Sequence, residues 1–323
     1  MLPEEERASD MAGGFSDGQP GREEPIIVSP SGGASVAERR GAREIAATFP
    51  EVLGRDGPEA REAMIWTEVE RGNYPVWTGT LVPVVLTDRR KRTARVYVSV
   101  DCFAIGTDQD WMRVQASGYL AQRIADHFGC LLPTNKIVFE AYKQAKIRLI
   151  AHIFDCQTVG AGKWQRSTLA WRLHEDVLSG RVACKRGQIV SNLAGKLNPR
   201  LGEHTGQCCL PSGPHPSVLV AGHLKEVTIN GEDLTKKLAF AGFFPPNGQP
   251  LQKGYGGPHG PGYADYSHGC RIVSRKAELD GKEVEYEDLV TNPANAELMF
   301  ALGGVCRKPP RYPPPPAKYF MGA

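Results

Sequence analysis

The chain has 323 residues, of which 41% are hydrophobic and 23% are charged, and its formal net charge is +3 at pH 7. This composition is ordinary for a globular protein that is long enough to bury a core. The small net charge gives no reason to expect a nucleic-acid partner, and no stretch approaches the ~18 apolar residues that cross a bilayer. The acidic start lacks the apolar core of a secretory signal. We therefore expect a cytoplasmic protein without a membrane partner.

The two ends of the chain differ in composition from the middle. Residues 1–42 are rich in Gly, Ser, Pro, Glu and Arg and lack apolar periodicity, which predicts a disordered segment. Residues 308–323 form a proline-rich tail, which we expect to run along the surface and which has the composition of a polyproline ligand for a partner. The residues between, 43–307, are predicted to form a single domain.

The first half of this domain alternates between element types. A helix is predicted over residues 59–70, followed by a β-hairpin whose strands cover 76–86 and 93–100. Ser117 and Thr134 each precede an apolar-periodic segment and are expected to cap helices.

A third helix is predicted over 167–178 and ends before Gly180. Residues 180–217 then show no pattern, and we interpret them as a surface insertion. From residue 218 the sequence is rich in short apolar runs typical of strands, and Asp280-Gly281 indicates a tight hairpin. A helix broken near Pro293 closes the domain. Because helices come first and strands later, the predicted fold class is α+β, with an N-terminal β-hairpin and helices followed by a mainly antiparallel C-terminal β-region.

The densest chemistry lies in residues 263–271, which carry an acid, two phenols, a hydroxyl, an imidazole, a thiol and a guanidinium. Convergent titratable groups of this kind mark functional sites. In a strand, His268 and Cys270 share one face and form a candidate base and nucleophile. A cysteine between a glycine and a strand is also typical of a small buried hydrophobe, so both interpretations of Cys270 stay open.

The remaining residues of the segment are candidates for orientation and binding. Asp265 is a candidate to orient His268 or His259, as carboxylates orient imidazoles in catalytic triads. Arg271 has the geometry to bind a substrate carboxylate through two parallel hydrogen bonds. The other residues assigned to substrate binding are the polar neighbours Tyr263, Tyr266 and Ser267, together with His223.

Two further histidines lie outside the segment. His259 stands in a glycine-rich loop that allows backbone N–H groups to approach a ligand, and His223 ends an apolar strand. If His223, His259 and His268 converge, they form an open three-histidine metal site. The sequence identifies no cofactor, and no two of its cysteines form a C-x-x-C pair.

From about residue 44 to 303 the sequence resembles an uncharacterised bacterial protein family. The motif that carries this resemblance most specifically is Tyr-x-Asp-Tyr-Ser-His-Gly-x-Arg at residues 263–271, supported by stretches at 71–75, 101–108, 132–136, 220–226 and 248–252. The resemblance implies a shared fold and site but names no reaction. In that family the residue after Ser-His-Gly is usually aliphatic, where this chain has Cys270.

A second, shorter resemblance is to the L,D-transpeptidases, carried by Ser267-His268-Gly269-Cys270-Arg271. It implies a thiolate nucleophile at Cys270 and an activating upstream histidine at His259. The gap from His259 to Ser267 is shorter than in that family, and Arg271 directly follows the cysteine.

These patterns together predict a hydrolase or acyl transferase that acts on a small-molecule or peptide-like, carboxylate-bearing substrate at residues 263–271. A metal-dependent hydrolase that uses His223, His259 and His268, or a non-catalytic ligand-binding or structural protein, is the alternative.

Overall fold

The computed structural model describes residues 25–30, 39–49, 57–153, 167–181, 209–210, 215–230, 233–256, 258–302, 306, 308, 310–317 and 319–320. The helices are α1 (Ala42–Thr48), α2 (Gly57–Glu70), α3 (Gly118–His127), α4 (Asn135–Gln144), α5 (Thr168–Leu178), α6 (Tyr286–Thr291) and α7 (Ala296–Met299). The strands are β1 (Ile26–Ile27), β2 (Thr80–Thr87), β3 (Thr93–Ser99), β4 (Ala104–Gly106), β5 (Trp111–Arg113), β6 (Ile147–Arg148), β7 (Val220–Ala221), β8 (Lys225–Thr228), β9 (Ala239–Gly242), β10 (Gln252–Gly256), β11 (His268–Gly269), β12 (Val273–Leu279) and β13 (Lys282–Glu285). The predicted α+β class is confirmed.

Two larger sheets organise the fold. The first has five strands in the order β1-β2-β3-β12-β13, with every neighbouring pair antiparallel. The second has four strands in the order β10-β9-β8-β11, and its last pair, β8 with β11, is parallel. Two small pairs, β4-β5 and β6-β7, complete the described strands.

The first sheet joins the two ends of the domain, which the sequence did not predict. The N-terminal hairpin β2-β3 and the C-terminal hairpin β12-β13 pair through β3 and β12, so Val273 lies opposite Val98. The predicted order of hairpin, helices and C-terminal β-region holds along the chain, but in space both hairpins belong to one sheet. Their pairing is non-local, and propensity gives no information about non-local pairing.

Local chemistry explains where the helices and turns lie. Ser117 and Thr134 each accept a hydrogen bond from the backbone N–H three residues ahead, which caps α3 and α4 as predicted. Ser167 caps α5, the third predicted helix, in the same way. Asp280 and Gly281 both have positive φ, at 49° and 79°, which is the conformation of the predicted tight hairpin between β12 and β13.

The main apolar cluster contains residues of both larger sheets. Helix α4 contacts β2 of the first sheet and β9 of the second, so it bridges them. Its inner side chains, Ile137 and Ala141, are fully buried in the largest apolar cluster, which also takes in Leu131 and Val273. Backbone hydrogen bonds join the end of β3 to neighbouring segments: Val220 N of β7 donates to Val100 O, and Phe103 N donates to Cys270 O just after β11, both at 2.7 Å.

The C-terminal tail is less superficial than the sequence predicts. Tyr312 is fully buried, and its hydroxyl accepts a hydrogen bond from Ala239 N (2.9 Å) and donates one to Thr228 O (2.8 Å). Tyr319 is also buried, and its hydroxyl donates to Glu62 at 2.9 Å. The prolines predict an extended surface segment, but Tyr312 and Tyr319 insert into the domain and hold the tail against it.

Two other predicted segments fall largely outside the described residues. Of residues 1–42, the structure describes 25–30 and 39–42; Ile26 and Ile27 pair with β2, and Ala42 begins α1. Of the predicted insertion at 180–217, residues 182–208 and 211–214 lie outside the description. Within it, Leu210 and His215 are buried. Among the described residues, none of the helices has both the length and the apolar character to cross a membrane.

The buried tail tyrosine leads to a test of stability. We expect Tyr312→Phe to lower the free energy of unfolding by about 1–2 kcal/mol, because it leaves buried backbone groups of β8 and β9 without their side-chain partner. Chemical denaturation measures this change. Pro314→Ala is the control, since Pro314 is exposed in the same segment, and an effect equal to that of Tyr312→Phe would contradict the packing described here.

Candidate functional site

The segment 263–271 is held against the second sheet by backbone pairing. Strand β11 runs parallel to β8, so His268 lies beside Lys225 and Gly269 beside Glu226. Gly269 leaves no room for a side chain, because an added Cβ would lie 2.7 Å from Leu224 and 3.0 Å from the Cys102 sulfur. The close contact of Gly269 with Leu224 and Cys102 fixes the position of the segment. The residues on either side of Gly269 lie in different surroundings.

Arg271 is a buried structural residue. Its guanidinium forms two hydrogen bonds to the Glu226 carboxylate, at 2.8 and 2.9 Å, and donates to the carbonyls of Ser99 (2.5 Å) and Val220 (2.8 Å). Both Arg271 and Glu226 are buried. The predicted bidentate geometry is present, but its partner is a carboxylate of the protein rather than of a substrate. The expectation that Arg271 binds substrate is therefore corrected.

Cys270 occupies the apolar core. Its side chain is fully buried within the main cluster, and its sulfur lies 3.6 Å from the carbonyl oxygen of Ala121. Burial, reinforced by the Glu226 charge, raises the pKa of the thiol well above its ordinary value. A nucleophilic cysteine needs the opposite shift. Of the two interpretations left open by the sequence, the geometry favours the small buried hydrophobe.

Part of the predicted site does assemble, in what we call the Asp265 cluster: Lys225, Tyr263, Asp265, Ser267 and His268. Asp265 accepts hydrogen bonds from Lys225 Nζ (2.8 Å), from Ser267 N (2.9 Å) and from Ser267 Oγ (2.6 Å). His268 Nε2 lies 3.7 Å from the Asp265 Oδ2 atom. Lys225 and Ser267 thus hold the Asp265 carboxylate in one orientation beside the imidazole, at a distance from Nε2 that exceeds a hydrogen bond.

The surroundings lower the pKa of both Asp265 and His268. Burial alone would raise the pKa of Asp265, but His268, Lys225 and the hydrogen bonds from Lys225 and Ser267 together hold it well below its usual range. Burial lowers the pKa of His268 to about 4, against the opposing effect of Asp265. At neutral pH the cluster therefore contains a carboxylate and a neutral imidazole that is able to accept a proton.

Of the remaining predicted residues, His259 and Tyr263 lie beside His268, whereas Tyr266 does not. His259 is half-buried on the glycine-rich loop, and its ring stacks on Tyr263 with centroids 3.7 Å apart. The Tyr263 ring meets His268 edge-on at 5.5 Å. Tyr266 points elsewhere and packs against His174 of α5 at 5.1 Å. His259 and Tyr263 thus form the more accessible side of the cluster.

A second group of polar residues, which we call the Asp101 cluster, consists of Asp101, Cys102, Arg113, His215 and His223. All are buried. Arg113 donates to Asp101 Oδ2 from Nη2 (2.6 Å) and Nε (3.1 Å), and His215 Nε2 lies 3.3 Å from the same oxygen. His223 Nε2 lies 3.3 Å from the other oxygen, Oδ1.

Within the Asp101 cluster, Asp101 is an anion and His223 is neutral. Burial would raise the pKa of Asp101, but Arg113 and the two histidines hold it well below its usual range. Burial and the Arg113 charge lower the pKa of His223 to about 4. Glu175 on α5 accepts a hydrogen bond from Arg113 N at 3.1 Å, and burial raises its pKa to about 7.

Sequence reasoning found His223 but missed most of its neighbours. Asp101 and Cys102 directly follow the predicted strand at 93–100, and a polar pair at a strand end was a usable signal. Arg113 gave no such signal because it lies in the short strand β5. His215 gave none because it lies in the unpatterned residues 180–217. The ring of His215 is held by Trp77, whose centroid is 4.3 Å away.

The predicted three-histidine metal site does not assemble. Among the described residues, the one group whose potential ligand atoms all lie within 4.8 Å of one another is Asp101, Cys102 and His223. His223 belongs to the Asp101 cluster, whereas His259 and His268 belong to the Asp265 cluster or lie at its edge.

No family model matches the chain, and no curated protein or solved structure shows a significant match to it. The two resemblances noted in the sequence stay predictions. Functional inference therefore rests on the geometry of the two clusters.

The Arg271–Glu226 pair gives a test of its structural role. We expect Arg271→Met to lower the free energy of unfolding by about 3–5 kcal/mol, because it leaves the Glu226 carboxylate buried without a counter-charge. Adding Glu226→Leu to this variant should restore part of the loss, since the unpaired charge is then gone. Equilibrium denaturation measures both changes.

The matched control for this test is Arg95→Met. Arg95 pairs with Glu278 at 2.8 Å across the first sheet, with both side chains partly exposed. Its loss should cost about 1 kcal/mol or less. If Arg271→Met were as stable as this control, the assignment of Arg271 to the core would fail.

Proposed function

We propose that the protein is a hydrolase or acyl transferase in which His268 acts as a general base. The observation that carries the proposal is the pairing of a neutral, buried imidazole with an oriented carboxylate, Asp265, beside a half-buried stacked pair, His259 and Tyr263. Perturbed titratable groups that converge in this way are typical of catalytic sites.

The reaction proposed for His268 is removal of a proton from water or from a substrate hydroxyl as it attacks an acyl carbon. The resulting imidazolium would lie 3.7 Å from Asp265, whose negative charge stabilises it. Lys225 and Ser267 hold Asp265 in place, so the carboxylate orients and stabilises rather than exchanging protons. Donation of the proton to the leaving group would restore the neutral base.

The nucleophile in this proposal is water or a substrate hydroxyl, not a side chain. Cys270 is buried with a raised thiol pKa, and the Ser267 hydroxyl donates to Asp265 at 2.6 Å. The substrate class is a peptide-like or other acyl compound that reaches the His259 and Tyr263 side. The proposal does not require a carboxylate on the substrate, because Arg271, the residue predicted to bind one, is paired with Glu226.

Two variants separate base catalysis from thiol catalysis. The protein is assayed against a panel of nitrophenyl esters and acyl-aminoacyl nitroanilides. His268→Asn should lower kcat/KM by ~10²–10⁴-fold, because the general base is lost. Cys270→Val should keep kcat/KM within a few-fold of the parent, since valine fills the same apolar site. Thermal melting of both variants controls for folding.

The pH profile gives an independent readout of the base. Because the pKa of His268 is about 4, kcat/KM should be level from pH 8 to 6 and should fall only as the pH approaches that value. A folded His268→Asn protein with full activity, or loss of activity in Cys270→Val alone, would refute the assignment.

A further inference from the structure

The Asp101 cluster has a composition and geometry that the proposed acyl chemistry does not use. We propose that Asp101, Cys102 and His223 form a binding site for a zinc-type transition-metal ion. This proposal does not rest on the function proposed above, and either can fail without the other.

The three potential ligands are preassembled by the backbone. Their ligand atoms all lie within 4.8 Å of one another, and all three residues are buried. Asp101 and Cys102 are consecutive, and Cys102 N donates to Asp101 Oδ1 at 2.6 Å, which folds the carboxylate back toward the chain. His223 follows Gly222, whose φ of +111° and contact with the Leu149 carbonyl exclude a side chain and fix the turn. Contraction by about 1 Å would give the spacing of a tetrahedral zinc site.

The two oxygens of Asp101 face different partners. Oδ2 accepts the hydrogen bonds from Arg113 and lies against His215 Nε2, whose ring is oriented by a hydrogen bond from Ser217 N to Nδ1 (3.1 Å). Oδ1 faces His223. A metal-binding carboxylate is usually oriented by hydrogen bonds to the oxygen that does not bind the ion, which here is Oδ2. Oδ1 is therefore the oxygen that would bind the ion.

His223 provides the observation that points to a ligand. It is fully buried, and neither ring nitrogen makes a hydrogen bond of normal geometry to the described residues, although Nε2 lies 3.3 Å from Asp101 Oδ1. Buried polar atoms without partners are rare in native proteins. A metal ion bound at one nitrogen would satisfy the ring.

The donor set defines the kind of ion. One sulfur, one nitrogen and one oxygen suit Zn²⁺ or Co²⁺, whereas Mg²⁺ and Ca²⁺ prefer oxygen alone. Burial and the charges of Glu226 and Asp101 raise the pKa of the Cys102 thiol, but a bound dication deprotonates such a thiol. Three protein ligands leave a tetrahedral ion one position for water or substrate.

Cobalt substitution tests the site in the full-length protein. After chelator treatment, Co²⁺ is titrated and its visible and near-ultraviolet spectrum is recorded. We expect one equivalent of tightly bound cobalt with tetrahedral d–d bands and a thiolate-to-cobalt charge-transfer band, and competition by Zn²⁺. A folded protein that shows neither band would overturn the proposal.

Variants locate the ligands. Cys102→Ser should abolish the charge-transfer band, and His223→Asn should weaken cobalt binding at least 10-fold. Cys270→Val, a buried thiol outside the site, should leave the spectrum unchanged. Cys208 and Cys209 are consecutive in the sequence and offer an alternative pair of thiols. A band that survives Cys102→Ser but disappears in the double variant Cys208→Ala/Cys209→Ala would place the ion on these two cysteines and overturn the proposal. If the ligand variants do not fold, the spectrum of the unaltered protein still decides between the outcomes.

Discussion

Arg271 enters the protein interior between the two main sheets, and its guanidinium is surrounded by Glu226 and by the carbonyl oxygens of Ser99 and Val220. These partners lie on β8, at the end of β3 and on β7. One side chain thus links the first sheet to the second and to the strand that leads to His223. Because a buried charge of this kind is tolerated only with its full set of partners, it fixes the relative positions of the strands.

Both clusters depend on that link. The Asp265 cluster is held by the pairing of β11 with β8, and Glu226 follows Lys225 on that strand. The Asp101 cluster begins two residues after Ser99 and ends at His223, three residues after Val220. The motif that looked like one catalytic segment is therefore divided. Its last two residues, Cys270 and Arg271, are buried in the core, and Asp265 and His268 lie together in the Asp265 cluster.

Local features of the fold could be predicted from the sequence, and non-local ones could not. The caps at Ser117 and Thr134 and the turn at Asp280-Gly281 depend on neighbours within a few residues, so the sequence alone is enough to predict them. The partner of Arg271 is 45 residues away, and that of Asp101 includes His215, 114 residues away. The guanidinium was recognised as a bidentate carboxylate binder. Only the fold could show which carboxylate it binds.

His223 and His268 are buried, neutral imidazoles, and histidine NMR tests this most directly. Full-length protein with labelled histidines is titrated from pH 8 downward, with His223→Asn and His268→Asn used to assign the two resonances. Because both pKa values are lowered to about 4, the two rings should stay neutral through pH 6 and protonate only near pH 4. Midpoints near the ordinary histidine value of about 6.5 would contradict the account.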